Sequence, residues 1–255
     1  LELAERFDRL NVAGINISDD VLDGVAAGAL AGVDLDRGQL DAAAAIAGTN
    51  RLVAVTGPAG AGKTTMTRIL AGEALPAGGQ VTRTGQIGYL PQDPRTGDLD
   101  QLARDRILSA RGIDTILRRM STYSTAMSDA SAGPEQDAAM ASWARAEAEL
   151  LAAGGYAAES DAARISANLG LPERVLSQPI RTLSGGQRRR VELARILFSG
   201  ADSLLLDEPT NHLDADSIVW LRSWLAAYSG GLMVISHDTG LLDAVVNKVF
   251  HLDAN

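Results

Sequence analysis

The sequence predicts an α/β fold with a mostly parallel sheet flanked by helices. Short, mainly apolar runs at residues 51–56, 203–207 and 232–236 have the length and composition of strands buried on both faces. Segments with helical periodicity separate these runs, and strands that alternate with helices are typical of a parallel sheet. A glycine-rich turn at residues 57–62 leads from the first run into a helix, as it does in many folds of this class.

Composition narrows the class of protein further. The chain has 255 residues, 46% hydrophobic and 22% charged, which suits a globular protein with a substantial core. No apolar run approaches the roughly 18 residues of a membrane span, and no secretory signal opens the chain. The lack of cysteine excludes disulfides and thiolate metal sites and leads us to expect a cytoplasmic location. The net charge of −9 argues against a surface coated by nucleic acid. Because residue 1 is leucine, we expect a fragment or a processed chain.

The glycine-rich turn fits the pattern G-x-x-x-x-G-K-[ST] of a phosphate-binding P-loop. A strand that turns through glycines into a helix directs several backbone N–H groups at one spot, at the positive end of the helix dipole. Lys63 adds a positive charge for the β- and γ-phosphates, and the Thr64 hydroxyl is placed to ligate Mg²⁺. We therefore predict a P-loop NTPase that contacts a nucleoside triphosphate through Gly57, Pro58, Ala59, Gly60, Ala61, Gly62, Lys63, Thr64 and Thr65.

Periodicity and turn residues predict the elements of the first 155 residues. Helical pieces are predicted at 21–30 and 39–47, a helix that ends near Gly72, and short strands at 80–83 and 86–90. Residues 98–127 and 138–153 carry apolar residues at spacings of three, four or seven, and 128–137 between them indicate a loop. This pattern predicts a helical hairpin with stripes formed by Ile113, Leu117, Met120, Met127, Met140, Trp143 and Leu150.

The second half of the chain continues the alternation of helices and strands. Helices are predicted at 159–169, 187–198 and 216–228, and a last strand at 248–252. One side of the helix at 216–228 is apolar, through Ile218, Leu221, Trp224 and Leu225. His212 and His251 have no evident partner in the sequence, and we interpret both as structural.

Polar residues follow the predicted strands where each of them ends. Ligands of open α/β sheets bind beyond the carboxyl ends of the strands, so these side chains can converge on one nucleotide. Asp207 is placed to hold Mg²⁺, and Glu208 to polarise an attacking water. His237 can reach the γ-phosphate or that water, and Gln92 can contact metal and water. The predicted catalytic residues are Glu208, His237, Gln92 and Lys63, and the predicted metal ligands are Thr64, Gln92 and Asp207.

Structural alternatives stay open for two of these motifs. Asp207 and Glu208 precede a proline and could be the N-cap and first-turn acid of a helix. His237 could be a satisfied loop histidine.

A second anion-binding turn is predicted at Ser184, Gly185, Gly186 and Gln187. A Ser-Gly-Gly turn that opens a helix offers a hydroxyl and backbone N–H groups. One nucleotide does not need two such helix ends from one chain. In a pair of chains that face each other, the turn at Ser184 of each chain could close over the nucleotide on the P-loop of the other chain. We therefore predict a head-to-tail pair that ATP holds together, with two nucleotides at its interface.

Together these motifs resemble an ATP-binding cassette (ABC) ATPase. GPAGAGKTT matches the Walker A motif, the glutamine of GYLPQ matches the Q-loop, and LSGGQ matches the signature motif. LLLDE matches the Walker B motif with the catalytic glutamate, and ISHD matches the motif of the switch histidine. Together these motifs cover about residues 51–255. DEPTNHLD is most similar to the ABC-F branch. That resemblance implies hydrolysis of ATP to ADP and phosphate with Mg²⁺, a protein without membrane domains, and action at the ribosome in translation control or antibiotic resistance.

The resemblance also implies a domain organisation and a partner. Residues 1–50 are an atypical N-terminal segment, and residues 51–97 with 200–255 are the P-loop ATPase core. Residues 98–199 are a helical subdomain between Q-loop and signature, in which 98–153 take the place of the family's arm. The expected partner is a second cassette, either another copy or the other half of a tandem chain, with the ribosome or tRNA as a further partner.

Other interpretations of the sequence stay open. The chain could be the ATPase subunit of an ABC transporter that docks on a separate membrane protein, or a switch that does not hydrolyse ATP. Residues 35–65 are similar to the start of a superfamily-I helicase as found in conjugative relaxases, which would make the chain a helicase-derived ATPase. Residues 1–50 do not resemble the usual opening strands of a cassette, and no aromatic residue lies between Phe7 and Gly57 to stack on adenine.

Overall fold

A computed structural model describes residues 15–17, 52–56, 62–76, 81–83, 85–92 and 97–251, and it confirms the predicted fold class. Five parallel strands form the main sheet: β2 (Leu52–Thr56), β4 (Ile87–Leu90), β5 (Ser203–Asp207), β6 (Gly231–Ile235) and β7 (Lys248–His251). Their order across the sheet is β4-β5-β6-β2-β7. β1 (Ile15–Ile17) and β3 (Val81–Arg83) form a separate antiparallel pair.

The described helices flank these strands or form a unit of their own. They are α1 (Lys63–Ala71), α2 (Ala103–Leu108), α3 (Ile113–Asp129), α4 (Pro134–Ala152), α5 (Ala157–Asn168), α6 (Glu173–Leu176), α7 (Gly185–Phe198), α8 (Ala215–Ala226) and α9 (Thr239–Val245), with 3₁₀ turns at Ser109–Arg111 and Ile180–Thr182. Among the described residues, those before position 95 and those from 200 onward form one compact unit, the sheet unit, and residues 95–199 form another, the helical unit. Within the described ranges, we find no helix with the length and apolar character needed to cross a membrane.

The centre of the main sheet is buried, as the mainly apolar runs predict. All residues of β5 are buried, and so are the last four residues of β6. Asp207 is the register partner of Ile235 on β6, and Ile235 is in turn the partner of Val55 on β2. The carboxyl ends of the three strands therefore lie side by side at one level of the sheet.

The N-terminal segment supplies a strand that the sequence did not predict. β1 pairs with β3, with Asn16 opposite Thr82, although a run of three residues is too short to give a periodic signal. On β3, the Arg83 Nε donates a 2.8 Å hydrogen bond to the Leu70 carbonyl at the end of α1. A cation at this helix end stabilises the helix dipole. The helices predicted at 21–30 and 39–47 lie outside the described residues.

The predicted hairpin is present as α3 and α4, but two details of the prediction are wrong. The loop is shorter than 128–137, because α3 runs to Asp129 and α4 starts at Pro134, a residue that suits the first turn of a helix. Met140 does not belong to the buried stripe, since it is 55% exposed. The buried residues of α4 are Ala146 and Leu150. Alanine is only weakly hydrophobic, so the sequence pattern does not show that Ala146 lies on the buried face.

A charged cluster lies among the apolar residues of the helical unit. Glu192 on α7 is 3% exposed and accepts hydrogen bonds from Arg106 Nε at 2.6 Å and from Arg195 Nε at 2.9 Å. Arg106 Nη2 donates a further bond of 3.2 Å to the same carboxylate. A buried carboxylate needs such partners because desolvation of an unpaired charge is costly.

Candidate functional site

Four neighbouring strands bring polar residues to one edge of the main sheet. β4, β5, β6 and β2 are consecutive and parallel, so their carboxyl ends share this edge. Gln92 follows β4, Asp207 and Glu208 stand at the end of β5, and His237 follows β6. β2 also ends at this edge, and the predicted P-loop residues Gly57, Pro58, Ala59, Gly60 and Ala61, which follow it in the chain, lie outside the described residues.

Asp207 and Glu208 do not cap a helix, so this alternative is wrong. Asp207 is the last residue of β5, whereas α8 begins only at Ala215. The N-cap of α8 is Asp214, whose carboxylate accepts a 2.9 Å hydrogen bond from the Ser217 N–H. The acidic pair thus stands at the end of a strand.

The start of α1 lies against the acidic pair. Gly62 precedes the helix with a φ of 78°, a left-handed conformation that glycine adopts without strain. The Thr64 Oγ1 donates a 2.9 Å hydrogen bond to Oδ2 of Asp207, a residue that is only 2% exposed. Hydroxyl and carboxylate oxygens are the ligands that Mg²⁺ takes in nucleotide sites, so the pair fits this ion. The first turn of α1 contains no acidic residue, which leaves its N–H groups suited to an anion.

Glu208 has an unusual backbone conformation and a histidine partner. Its φ is 49°, in the left-handed region that residues other than glycine rarely adopt, and its N–H donates a 2.8 Å hydrogen bond to the Ile235 carbonyl. Such strain costs on the order of 1–3 kcal/mol and is most often found at functional sites. Oε1 of Glu208 lies 3.3 Å from Nε2 of His237. A carboxylate and an imidazole at this distance can act on the same water molecule or phosphate.

The loop that carries His237 is held by its neighbours. Ser236 is buried, and its hydroxyl accepts a 3.1 Å hydrogen bond from the Asp238 N–H. The Asp238 carboxylate caps α9 and receives the guanidinium of Arg222 from α8. Sequence reasoning missed Arg222, because no spacing in the sequence signals an ion pair between two separate helices.

The predicted second turn lies in the helical unit, at the start of α7. Ser184 Oγ accepts a 3.2 Å hydrogen bond from the Gln187 N–H, and the Gln187 side chain accepts a 2.9 Å bond from the Ser184 N–H. This capping box fixes the first turn of the helix. Ser184 and Gly185 are exposed, and open space surrounds the position of a Cβ on Gly185. The turn is therefore rigid and accessible to a ligand.

Comparison with known proteins gives both sequence relatives and structural neighbours. A family model described as "ABC transporter" matches residues 46–211. The chain is 32% identical over 206 residues to the uncharacterized ABC transporter ATP-binding protein YfmR of Bacillus subtilis, covering 80% of this chain and 32% of that protein. It is 38% identical over 209 residues to the energy-dependent translational throttle protein EttA of Haemophilus influenzae, covering 79% and 36%. The chain thus spans about a third of the length of the curated relatives it matches.

A solved structure supports the fold independently. The dimeric ATP-binding cassette MJ0796, in a post-hydrolysis state bound to ADP and Pi, aligns with a TM-score of 0.51 and 20% identity, covering 79% of this chain and 81% of that one. At this identity the likeness concerns the fold alone. It agrees with the parallel sheet and the flanking helices described above.

Proposed function

This chain belongs to the ATP-binding cassette (ABC) ATPase family, and we propose that it is an ABC-F-like cassette that closes head-to-tail on ATP and acts on the ribosome. The domain binds ATP and is an ATPase by its family. The observation that carries the proposed chemistry is the meeting of Thr64, Asp207, Glu208 and His237 at one edge of the sheet.

The nucleotide would bind at this edge of the main sheet. Residues 57–65 would hold the phosphates of ATP with backbone N–H groups, and Lys63 would add its charge near the β- and γ-phosphates. Thr64 and Asp207 would hold Mg²⁺, with Gln92 as a further ligand. Mg²⁺ bound there would offset the negative charge that phosphoryl transfer gathers on the phosphate oxygens.

The remaining residues would act on water. Glu208 is 8% exposed, so its carboxylate has limited hydration. It would accept a proton from the attacking water, while the imidazole of His237, 3.3 Å away, would orient that water or contact the γ-phosphate. The products are ADP and phosphate.

A second cassette would complete each site. The exposed turn at Ser184, with Gly185, Gly186 and Gln187, suits the γ-phosphate of a nucleotide bound to a partner cassette, because it offers a hydroxyl and helix N–H groups. The MJ0796 cassette is described as dimeric, which is consistent with pairing of two cassettes. The partner is either a second copy of this chain or another half of a longer protein.

The ribosome is the proposed target. Support comes from the name of EttA, a translational throttle protein, and from the sequence DEPTNHLD. The hairpin of α3 and α4 would take the place of the family's arm and would reach the ribosome or a bound tRNA. A cytoplasmic location belongs to this proposal.

Light scattering on Glu208→Gln with Mg-ATP and with Mg-ADP tests the ATP-dependent closure. The variant should bind ATP, hydrolyse it at least about 10²-fold more slowly than the wild type, and form a dimer only with Mg-ATP. Ribosome pelleting of the same variant should then retain it only with ATP. A monomer in both nucleotides would contradict homodimeric closure by this chain. Failure of the variant to pellet with ribosomes in Mg-ATP would contradict the ribosomal target.

An ABC transporter subunit is the second candidate, because the matching family model is described by that name. Such a subunit docks on a membrane protein. Co-purification of the chain with a membrane protein, and ATPase activity that rises when the two are combined, would favour this candidate over the ribosomal one.

A further inference from the structure

The side chain of His237 has little packing to hold it in place. It is 81% exposed, and its polar contact is the 3.3 Å approach of Nε2 to Oε1 of Glu208. Because burial does not restrict the ring, the rotamers open to it and the region they reach are set by the conformation and position of its backbone. The position of the imidazole therefore depends on the residues on either side of it.

Those residues are held from α8. Nη2 of Arg222 donates to both carboxylate oxygens of Asp238, at 2.9 and 3.2 Å. The same carboxylate accepts a 2.9 Å hydrogen bond from the Leu241 N–H, and the Asp238 N–H donates to Ser236 Oγ. Ser236 and Asp238, the two neighbours of His237, thus each take part in a hydrogen bond, and the ion pair with Arg222 joins Asp238 to α8.

Two features make this contact specific. α8 is anchored by its buried side chains Leu221 and Leu225, so it offers a rigid base for the arginine beside them. Gly240 lies directly against the guanidinium, since a Cβ there would stand 2.8 Å from Nη2 of Arg222. A larger residue at position 240 would therefore push the guanidinium away from Asp238.

We propose that Arg222 is a positioning residue that holds His237 within reach of Glu208 by clamping Asp238. This inference rests on the proposed function, because the role of His237 in hydrolysis belongs to that proposal. Arg222 itself contacts neither the phosphates nor the attacking water in this scheme. It acts through the backbone of residues 236–238, and its loss should affect the turnover step more than nucleotide binding.

Steady-state ATPase kinetics on the full chain test the route of this effect. Arg222→Ala should lower kcat about tenfold with little change in the KM for ATP, since a small displacement of a reacting group costs rate. Gly240→Ala should act in the same direction without removing a charge. In a His237→Ala background, Arg222→Ala should cause no further loss. Losses that multiply in the double variant would overturn the proposal.

A matched control distinguishes the loss of His237 positioning from the general effect of removing an ion pair. Arg164→Ala removes the pair between Arg164 and Asp161, at 3.2 Å on α5, and should leave kcat unchanged. Arg222→Lys keeps the charge and should restore part of the rate that Arg222→Ala loses.

Nuclear magnetic resonance gives a readout that needs no hydrolysis. The chain has three histidines, so the imidazole signals are few, and His237→Ala assigns one of them. Arg222→Ala and Gly240→Ala should move the His237 signal and leave those of His212 and His251 in place. An unmoved His237 signal would overturn the positioning role. A wild-type chain without ATPase activity would instead contradict the proposed function, while the spectra would still decide the role of Arg222.

Discussion

The Thr64 hydroxyl donates a 2.9 Å hydrogen bond to the Asp207 carboxylate, although 143 positions separate the two residues in the chain. This bond joins the helix that follows the P-loop to the strand that carries the acidic pair. It requires β2 and β5 to end at the same level, which the register through Ile235 provides. The proposed metal ligands therefore depend on the order of the strands in the sheet.

Asp207→Asn tests this pair. The amide keeps the shape of the side chain but lacks the charge that would hold Mg²⁺, so ATP hydrolysis should fall about 10²-fold or more at any Mg²⁺ concentration. Measured rates across a Mg²⁺ titration check the expectation. Asp216→Asn, an exposed residue in the first turn of α8, is the matched control and should behave as the wild type. Hydrolysis by Asp207→Asn at the wild-type rate, reached at any Mg²⁺ concentration in the titration, would refute the assignment.

Two substitutions at Ser184 separate the cap of α7 from the contact with a partner's nucleotide. Ser184→Ala removes the cap and should lower the free energy of unfolding by about 1 kcal/mol. Ser184→Asp keeps an N-cap but places a negative charge where a phosphate is expected, so stability should persist while ATP-dependent dimerisation is lost. Urea unfolding and light scattering measure the two effects. Dimerisation of Ser184→Asp at wild-type affinity would exclude the proposed contact.

Glu192→Ala should destabilise the helical unit strongly. Its removal leaves Arg106 and Arg195 without their shared carboxylate in a largely buried setting, which we expect to cost roughly 3 kcal/mol. Glu149→Ala breaks an exposed pair with Arg119 and should cost much less. Denaturant unfolding of the two variants gives the comparison, and equal losses would contradict the buried role of Glu192.

Tyr228 should make stability fall at high pH. Burial raises the pKa of Tyr228 to about 12 from 10.0, and the charge of Asp202 adds to the increase. The neutral phenol, whose hydroxyl donates to the Ala201 carbonyl, is therefore favoured in the folded state. Its contribution is present in full below pH 10 and is lost as pH rises through about 12, because the unfolded chain releases the proton first.

Absorbance titration of the four tyrosines checks this expectation. A phase near pH 12 should be present in the wild type and absent in Tyr228→Phe, and the decline of unfolding free energy above pH 10 should be shallower in that variant. A titration curve that Tyr228→Phe leaves unchanged would show that the phenol ionises normally.

The sequence was most informative where a pattern and a buried element coincide. The apolar run of leucines at residues 204–206 is followed by Asp207, and Ser203–Asp207 forms the fully buried strand β5. The predicted end of the helix near Gly72 is also confirmed, since this glycine is the C-cap of α1 and has a φ of 84°. Both features have a local signal in the sequence, although β5 is buried only in the folded sheet, where it pairs with β4 and β6.

Other features depend on distant residues and have no signal of their own in the sequence. Met140 has the hydrophobicity of a core residue but is exposed, because the partner helix decides which face of α4 is buried. β1 exists through pairing with β3 and has too few residues to produce a pattern of its own. The clamp of Asp238 by Arg222 joins two helices whose separation only the folded chain sets. The strained backbone of Glu208 likewise has no signature in its residue type.

The strand order also bears on how this protein is made. Leu52 on β2 pairs with Leu232 on β6, so the central sheet cannot close until most of the chain has left the synthesising machinery. The helical unit, by contrast, is one continuous stretch of sequence and can condense early, through contacts that are close along the chain. During synthesis, the residues of β2 therefore have no pairing partner until β6 and β7 have been made. Mutations in β6 or β7 should accordingly impair yield by exposing β2 to aggregation, even where they leave every catalytic group in place.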